Sequence, residues 1–370
     1  MTQITNNLCA FLDDARHAQL DDKTIEKAKH HIVDTIAAMI SGTALHVGEK
    51  AFKALPSFEG LPEATVFGQS KRYPAYWAAM FNAMLAHADE TDDSHETSIT
   101  HPGCGIVPTA MAMSQKEKKG GMDFIRAVCA GYDVGPRITE ALGAMALNNA
   151  GTSSHAMGAI FGSGACASVL ANFDGAQVRR LLSYLAHESS GLGCWMAEHD
   201  HVQKAYVFGA MGAKNAITSV LLVQSGWTGL EEALEGPRTL FQARAQPAKG
   251  RSMEPSLVLG HEILGSNIKK WCVGSPAQAP LDCLQALLPS LPAMDQIKSI
   301  TVEIRSDEAF IVDNRDMPNI CLQHLVALYL VDRKLTFESV HDPKRMADSS
   351  IKEIRSKIQL IASEALMKSG

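Results

Sequence analysis

The chain is sparing with charge and with aromatic rings: Asp, Glu, Lys and Arg make up 20% of its 370 residues, and Phe, Trp and Tyr 6%. It has no basic tract and a net charge of −6, which argues against nucleic acid or an acidic membrane surface as partner. No uninterrupted apolar run reaches the length of about 20 residues that spans a bilayer. The opening stretch, MTQITNNLCAFLDDARHAQL, lacks the basic-then-apolar order of a secretory signal. Eight cysteines (Cys9, Cys104, Cys129, Cys166, Cys194, Cys272, Cys283 and Cys321) are scattered with no CxxC pair, the pattern of reduced, mostly buried thiols in a cytoplasmic protein. A GxSxG elbow and a Walker loop are missing. FGSGAC at 161–166 has part of a dinucleotide fingerprint, but no β-branched strand precedes it and no acid follows at the required distance. Tight helix packing explains it better. There are no internal repeats and no heptads. A soluble cytoplasmic globular protein remains, 46% hydrophobic and long enough for two domains.

Apolar periodicity supplies the architecture. Asp21-Asp22 caps a helix whose Ile25, Ala28, Ile32, Ile36 and Ile40 repeat near every 3.6 residues until Gly42. Further helices are expected over 74–88, 105–115, 121–147 (interrupted near Pro136), 151–172, 177–189 and 203–224. The Ala-, Gly- and Ser-rich segment 151–172 is poor as an isolated helix but lets neighbouring backbones approach closely, so it belongs at the centre of a bundle. Character changes after Gly265. KSITVEIR at 298–305 alternates as a strand, while 319–330 and 347–366 read as helices. The expected fold class is mainly α: a large all-helical domain over 1–265 and a smaller α+β domain over 266–370.

Against this low-charge background, residues 87–109, HADETDDSHETSITHPGCGIVPT, stand out. His87, Asp89, Glu90, Asp92, Asp93, His95, Glu96 and His101 crowd into one short segment, where proximity and desolvation shift proton affinities. Imidazoles oriented by carboxylates suit proton transfer near neutral pH. Two other readings stand beside it. An acidic run can be a solvated face, although apolar segments flank this one on both sides. His87, Asp92, His95 and His101 could instead ligate a metal for a hydrolase, although the spacing matches no standard zinc pattern. Cys194 with His199 and His201 could suggest a thiol nucleophile, but the cluster lacks an oxyanion hole and reads as a helix-connecting loop.

AHADETDDSHETSITHPG resembles the signature of the MmgE/PrpD family, which includes 2-methylcitrate dehydratases, cis-aconitate decarboxylases and iminodisuccinate epimerases. Three further segments agree in order: GTSSHAMGAIFGSGACAS, HVQKAYVFGAMGAKNAITSVLLVQSGWTG and NIKKWCVGSPAQAPLDCL. The resemblance implies a homodimeric lyase or isomerase acting on a small polycarboxylate with neither metal nor organic cofactor. It places the general acid/base on His101, with Asp92, Asp93 and His95 orienting it and binding substrate. Glu90 and Ser94 fall on further substrate-binding positions. The family's substrate-binding lysines fall on Lys204 and Lys269, with Lys270 as a possible shift by one. An ammonium is an apt point-charge partner for a carboxylate.

Two positions depart from dehydratase and decarboxylase relatives. Ser153 stands in place of a histidine, with His155 two residues on, and His324 stands in place of a tyrosine. Relatives also continue past the last helix, so the small domain is expected to be shortened. The chemistry these residues imply is proton removal or addition at a carbon next to a carboxylate. His101 would be the base, Lys204 and Lys269 the cations, and protonated His155 or His95 the acid. A family member that binds carboxylates without turnover is the other class to weigh.

Overall fold

In the computed structural model, which describes residues 3–244 and 258–368, helices dominate and strands are few and short. The fold class is mainly α, as the periodicity indicates. Contacts divide the chain into two compact units. The first comprises Met1–Ala88 and Asp92–Ile268; the second comprises Asp89–Thr91 and Lys269–Gly370. Three residues of the acidic segment therefore group with the smaller unit, which a cut in the linear sequence could not express.

The first unit runs α1 (Gln3–Ala15), α2 (Asp22–Gly42), α3 (His46–Ala54), α4 (Ala75–Ala86), α5 (Pro102–Glu117), α6 (Gly121–Leu142), α7 (Ala144–Asn149) and α8 (Ser154–Leu170). It continues with α9 (Gly175–Glu188), α10 (Val202–Ala205), α11 (Met211–Gln224), α12 (Leu240–Arg244) and α13 (His261–Gly265). Two short strands, β1 (Ala64–Thr65) and β2 (Arg72–Tyr73), pair antiparallel. The Asp21 side chain accepts from the Thr24 N–H and caps α2, as its sequence position suggested.

The Gly/Ala/Ser-rich helix α8 is the centre of the bundle. Every residue in it except His155 is buried, and it packs most extensively on α6, then on α11 and α5. Backbone meets backbone there: a Cβ on Gly135 would stand 2.5 Å from the Gly158 carbonyl oxygen. The small residues therefore trade helix propensity for contact with no intervening side chain. The long helix expected over 121–147 breaks at Gly143, whose φ is +84°, and α6 runs through Pro136.

Among the described residues, one helix, Val202–Gln224, is long and apolar enough to cross a membrane by length and composition. That narrows the expectation from apolar runs alone. Its α11 portion packs against α8, α4 and α9. The helix also contains a π-turn, Tyr206–Ala210, between α10 and α11.

The second unit has its own core, built around Val273, Leu281, Val312, Leu322, Leu325, Leu328 and Ile351. Its helices are α14 (Gln278–Leu287), α15 (Ser306–Val312), α16 (Leu322–Asp332), α17 (Phe337–His341) and α18 (Ser349–Arg355). The strand expected near 298–305 is β3 (Ile300–Arg305). The helix expected over 347–366 is half wrong. Only α18 forms, and Ile358–Ser363 becomes β4, parallel to β3 with Ile300 opposite Ile358. Pairing with a strand nearly 60 residues upstream overrides the local helical pattern.

Candidate active site

The acidic segment is the connection from α4 to α5: His87 caps the end of α4 and His101 the start of α5. It is not a solvated face. His87, Asp89, Glu90, Asp92, Asp93 and His95 are all buried, and the His101 side chain is 9% exposed. Charges removed from water survive only if paired and hydrogen-bonded, and three networks provide this in the first unit.

The first network centres on Asp93. Its Oδ2 lies 2.6 Å from His31 Nδ1 on α2 and accepts the Tyr132 hydroxyl of α6 at 2.5 Å. Its Oδ1 accepts the Gly103 N–H at 2.8 Å. Burial alone would raise this carboxyl's pKa, but the His31 hydrogen bond and charge, with Tyr132 and Gly103, outweigh it and hold Asp93 below the usual range. The same residue meets His101 through its backbone: His101 Nδ1 lies 2.6 Å from the Asp93 carbonyl oxygen. A carbonyl only accepts, so Nδ1 carries the proton, and Nε2 is the nitrogen that is basic when the ring is neutral.

The second network links the aromatic rings. Asp92 Oδ2 lies 2.8 Å from His87 Nδ1 and 3.5 Å from His101 Nδ1. Phe208, buried within the π-turn, stacks on His155 at 3.8 Å and on His87 at 4.2 Å, and lies 5.5 Å from the His101 ring. His101 and His155 are 5.2 Å apart, ring centre to ring centre. Lys204 is buried, with Nζ 5.1 Å from the Phe208 ring and 5.4 Å from that of Trp195. Its own N–H is capped by the Glu198 carboxylate at 2.9 Å, which sets the first turn of α10.

His155 joins this cluster, though not as the cationic acid the sequence suggested. Burial first, then the proximity of His101, His87 and Lys204, holds its pKa well below the ordinary imidazole value. Neutral His155 can still donate or accept a hydrogen bond, and its Nδ1 is enclosed with no partner among the described residues.

The third network takes His95 away from His101. His95 Nδ1 lies 2.9 Å from Ser98 Oγ, and Nε2 lies 3.2 Å from Glu262 Oε2, with Arg137 3.5 Å from the same carboxylate. Asp133 accepts the Gly260 and Glu262 N–H groups at 2.6 and 2.9 Å and so seats α13, which carries Glu262. With both ring nitrogens engaged, His95 secures the loop rather than orienting His101.

Other expected residues serve the backbone. Ser94 forms an antiparallel bridge with Asn267, at 2.9 and 2.8 Å. The Ser153 side chain caps α8. Within the second unit, Lys269 Nζ donates to the Glu90 carbonyl at 2.7 Å, and Glu90 takes a φ of +64°. Lys270, the possible shift by one, is exposed and paired with Asp282 at 2.7 Å. His324 is fully enclosed in α16 with no partner for either ring nitrogen among the described residues. Burial, then Arg355 and Arg345, pushes its pKa down to about 4, so it is an uncharged core residue there.

His31, Tyr132, Phe208, Trp195 and Glu262 were not singled out from sequence. Each reaches the site from a distant helix or turn. His87, Asp92 and Cys104 bring one donor atom each within 4.8 Å of one another, a set that could take a metal ion. These groups already have protein partners: Asp92 holds His87, and Cys104 Sγ donates to the His101 carbonyl at 3.2 Å.

The MmgE/PrpD N-terminal domain profile matches residues 6–263 and the MmgE/PrpD C-terminal domain profile residues 271–369. The chain belongs to the MmgE/PrpD family. It is 27% identical to the cis-aconitate decarboxylase-like protein oryM of Aspergillus oryzae, over 80% of this chain and 64% of that protein. It is 25% identical to the cis-aconitate decarboxylase of Aspergillus terreus, over 90% of this chain and 72% of that one. Identity to the human cis-aconitate decarboxylase is 22%, over 97% of this chain and 77% of that one. The chain thus spans about two thirds to three quarters of the length of these relatives.

Proposed function

We propose that this protein is a lyase acting on a small polycarboxylate, with cis-aconitate the first substrate to test, and that His101 moves the proton. The observation that carries the reading is the His101 tautomer. Nδ1–H is committed to the Asp93 carbonyl, so Nε2 is the atom that exchanges a proton with substrate. The Asp92 carboxylate at 3.5 Å stabilises the imidazolium formed when Nε2 accepts one. The relatives named as cis-aconitate decarboxylases support a tricarboxylate as substrate.

In such a decarboxylation one proton is added to carbon, one C–C bond breaks and one CO2 leaves, its bonding pair shifting into the product alkene or onto the protonated carbon. Protonated His101 can deliver that proton. The Lys204 ammonium opposes the negative charge of a substrate carboxylate, and neutral His155 can hydrogen-bond to it. Dehydration or epimerisation would use the same proton transfer at a carbon next to a carboxylate.

The test is turnover of cis-aconitate, 2-methylcitrate, citrate and iminodisuccinate, with and without prior chelator treatment, beside a His101→Ala control. Conversion of one substrate that survives chelation and is lost in the control supports the reading. Loss of activity with chelator would favour metal chemistry at His87, Asp92 and Cys104. Carboxylate binding without turnover would identify a binding protein.

A further inference from the structure

We propose that His31 and Tyr132 form with Asp93 a buried positioning triad that fixes both the orientation and the tautomer of His101. The inference rests on the reading of His101 as the proton-transfer residue and assigns the groups behind it.

Asp93 grips both His101 and the backbone two residues beyond it. Its carbonyl holds the His101 ring at Nδ1, 2.6 Å away, while its Oδ1 holds the Gly103 N–H two residues on. What stops the carboxylate from turning is the pair of donors on Oδ2, His31 at 2.6 Å and Tyr132 at 2.5 Å. They come from α2 and α6, so the loop is referenced to two core helices rather than to its own neighbours. All three side chains are fully buried. An apolar trio could fill the same volume without the desolvation cost of a carboxylate, so stability alone does not account for a charged centre here.

The packing leaves no slack. A Cβ on Gly103 would stand 2.6 Å from Thr35 Oγ1, 2.8 Å from Asp93 Oδ1 and 2.9 Å from the Tyr132 hydroxyl. If the Asp93 carbonyl moved off Nδ1, the His101 proton could relocate to Nε2. A neutral ring in that form cannot accept a proton at Nε2, and it gives one up from there as a far weaker acid than the imidazolium. Outer partners that fix the tautomer of metal-bound histidines are typically worth about 10- to 100-fold in function, and the same scale is expected for His101.

The test uses the full-length protein with 15N-labelled histidine. Long-range 1H–15N correlations distinguish Nδ1–H from Nε2–H rings, and the His101 signals are those lost in His101→Ala. The wild type should show His101 as the Nδ1–H form. Tyr132→Phe, which removes one hydroxyl and keeps the ring, should increase the Nε2–H form and lower kcat about 10- to 100-fold, with KM changing less than about 3-fold. His31→Asn, whose amide can still donate to Asp93, should retain more kcat than His31→Leu.

A folded Tyr132→Phe protein with unchanged His101 tautomer and kcat would overturn the proposal. Should Tyr132→Phe not fold, unchanged tautomer and kcat in His31→Leu would overturn it equally. If the wild type turns over no polycarboxylate, the functional reading fails, while the tautomer comparison still decides whether the triad positions His101.

Discussion

Replacing Gly103 with alanine gives opposite expectations depending on whether helix propensity or packing dominates. Gly103 lies in the first turn of α5, where alanine would favour the helix by up to about 1 kcal/mol. The added methyl would meet three buried oxygen atoms at 2.6–2.9 Å, all well inside van der Waals contact. None is the loose end of a flexible chain: Asp93 is held by three donors, Tyr132 donates to it, and the Thr35 hydroxyl donates to the His31 carbonyl at 2.9 Å. Overpacking a tight site costs about 1–3 kcal/mol, and separating Asp93 from one buried donor adds about 1 kcal/mol or more. The net expectation is a loss of about 1–3 kcal/mol, or a fall in Tm of roughly 2–10 °C for a unit of this size. Gly121→Ala is the matched control. It lies in the first turn of α6 with nothing within 4 Å of the new Cβ, so Tm should stay level or rise slightly. Differential scanning calorimetry of both variants decides the matter. A Gly103→Ala protein as stable as Gly121→Ala would refute the packing argument and loosen the case for a locked Asp93.

Three other outcomes follow from the same geometry. Lys204→Met keeps the apolar packing on Trp195 and Phe208 while removing the charge, so kcat/KM for a polycarboxylate should fall about 10- to 100-fold, measured by steady-state kinetics. His324 has its pKa lowered from 6.5 to about 4 by burial and by Arg355 and Arg345. The unfolded chain therefore binds that proton first as pH drops, and stability present above 6.5 should be lost toward pH 4. His324→Leu should flatten that limb by about 1–3 kcal/mol in denaturant titrations, and an unchanged limb would contradict it. For Glu262, burial opposes ionisation, but the His95 and His261 interactions prevail and lower its pKa from 4.5 to about 2. Its contribution is then complete above pH 4.5 and lost as pH falls toward 2. Glu262→Gln should lower stability at pH 7 by more than at pH 3 in the same titrations.

The helices, the central Gly/Ala-rich packing and the gathering of titratable groups at residues 87–101 were legible because each is written in local pattern. The roles inside that segment were not. His95 and His101 look equivalent in sequence, yet one pairs with Glu262, 167 residues away, and the other with a carbonyl 8 residues away. His31 and Tyr132 lie 62 and 39 residues from Asp93 and share no motif with it. Phe208 reaches the histidines through a π-turn, which periodicity near 3.6 does not encode. Segment 358–363 reads as helix until β3 is there to pair with it. The departure at His155 shows the reverse limit: residue type suggested an acid, but burial and the neighbouring His101, His87 and Lys204 determine its charge.

The central claim is that His101 exchanges a proton at a carbon next to a carboxylate. Proton NMR in D2O with cis-aconitate tests it most directly, comparing wild type with His101→Ala at equal folded concentration. Deuterium should appear at such a carbon, in product or in returned substrate, with the wild type, and at least about 100-fold more slowly with the variant, on the order expected of a general acid/base. Label incorporation by His101→Ala at the wild-type rate would contradict it.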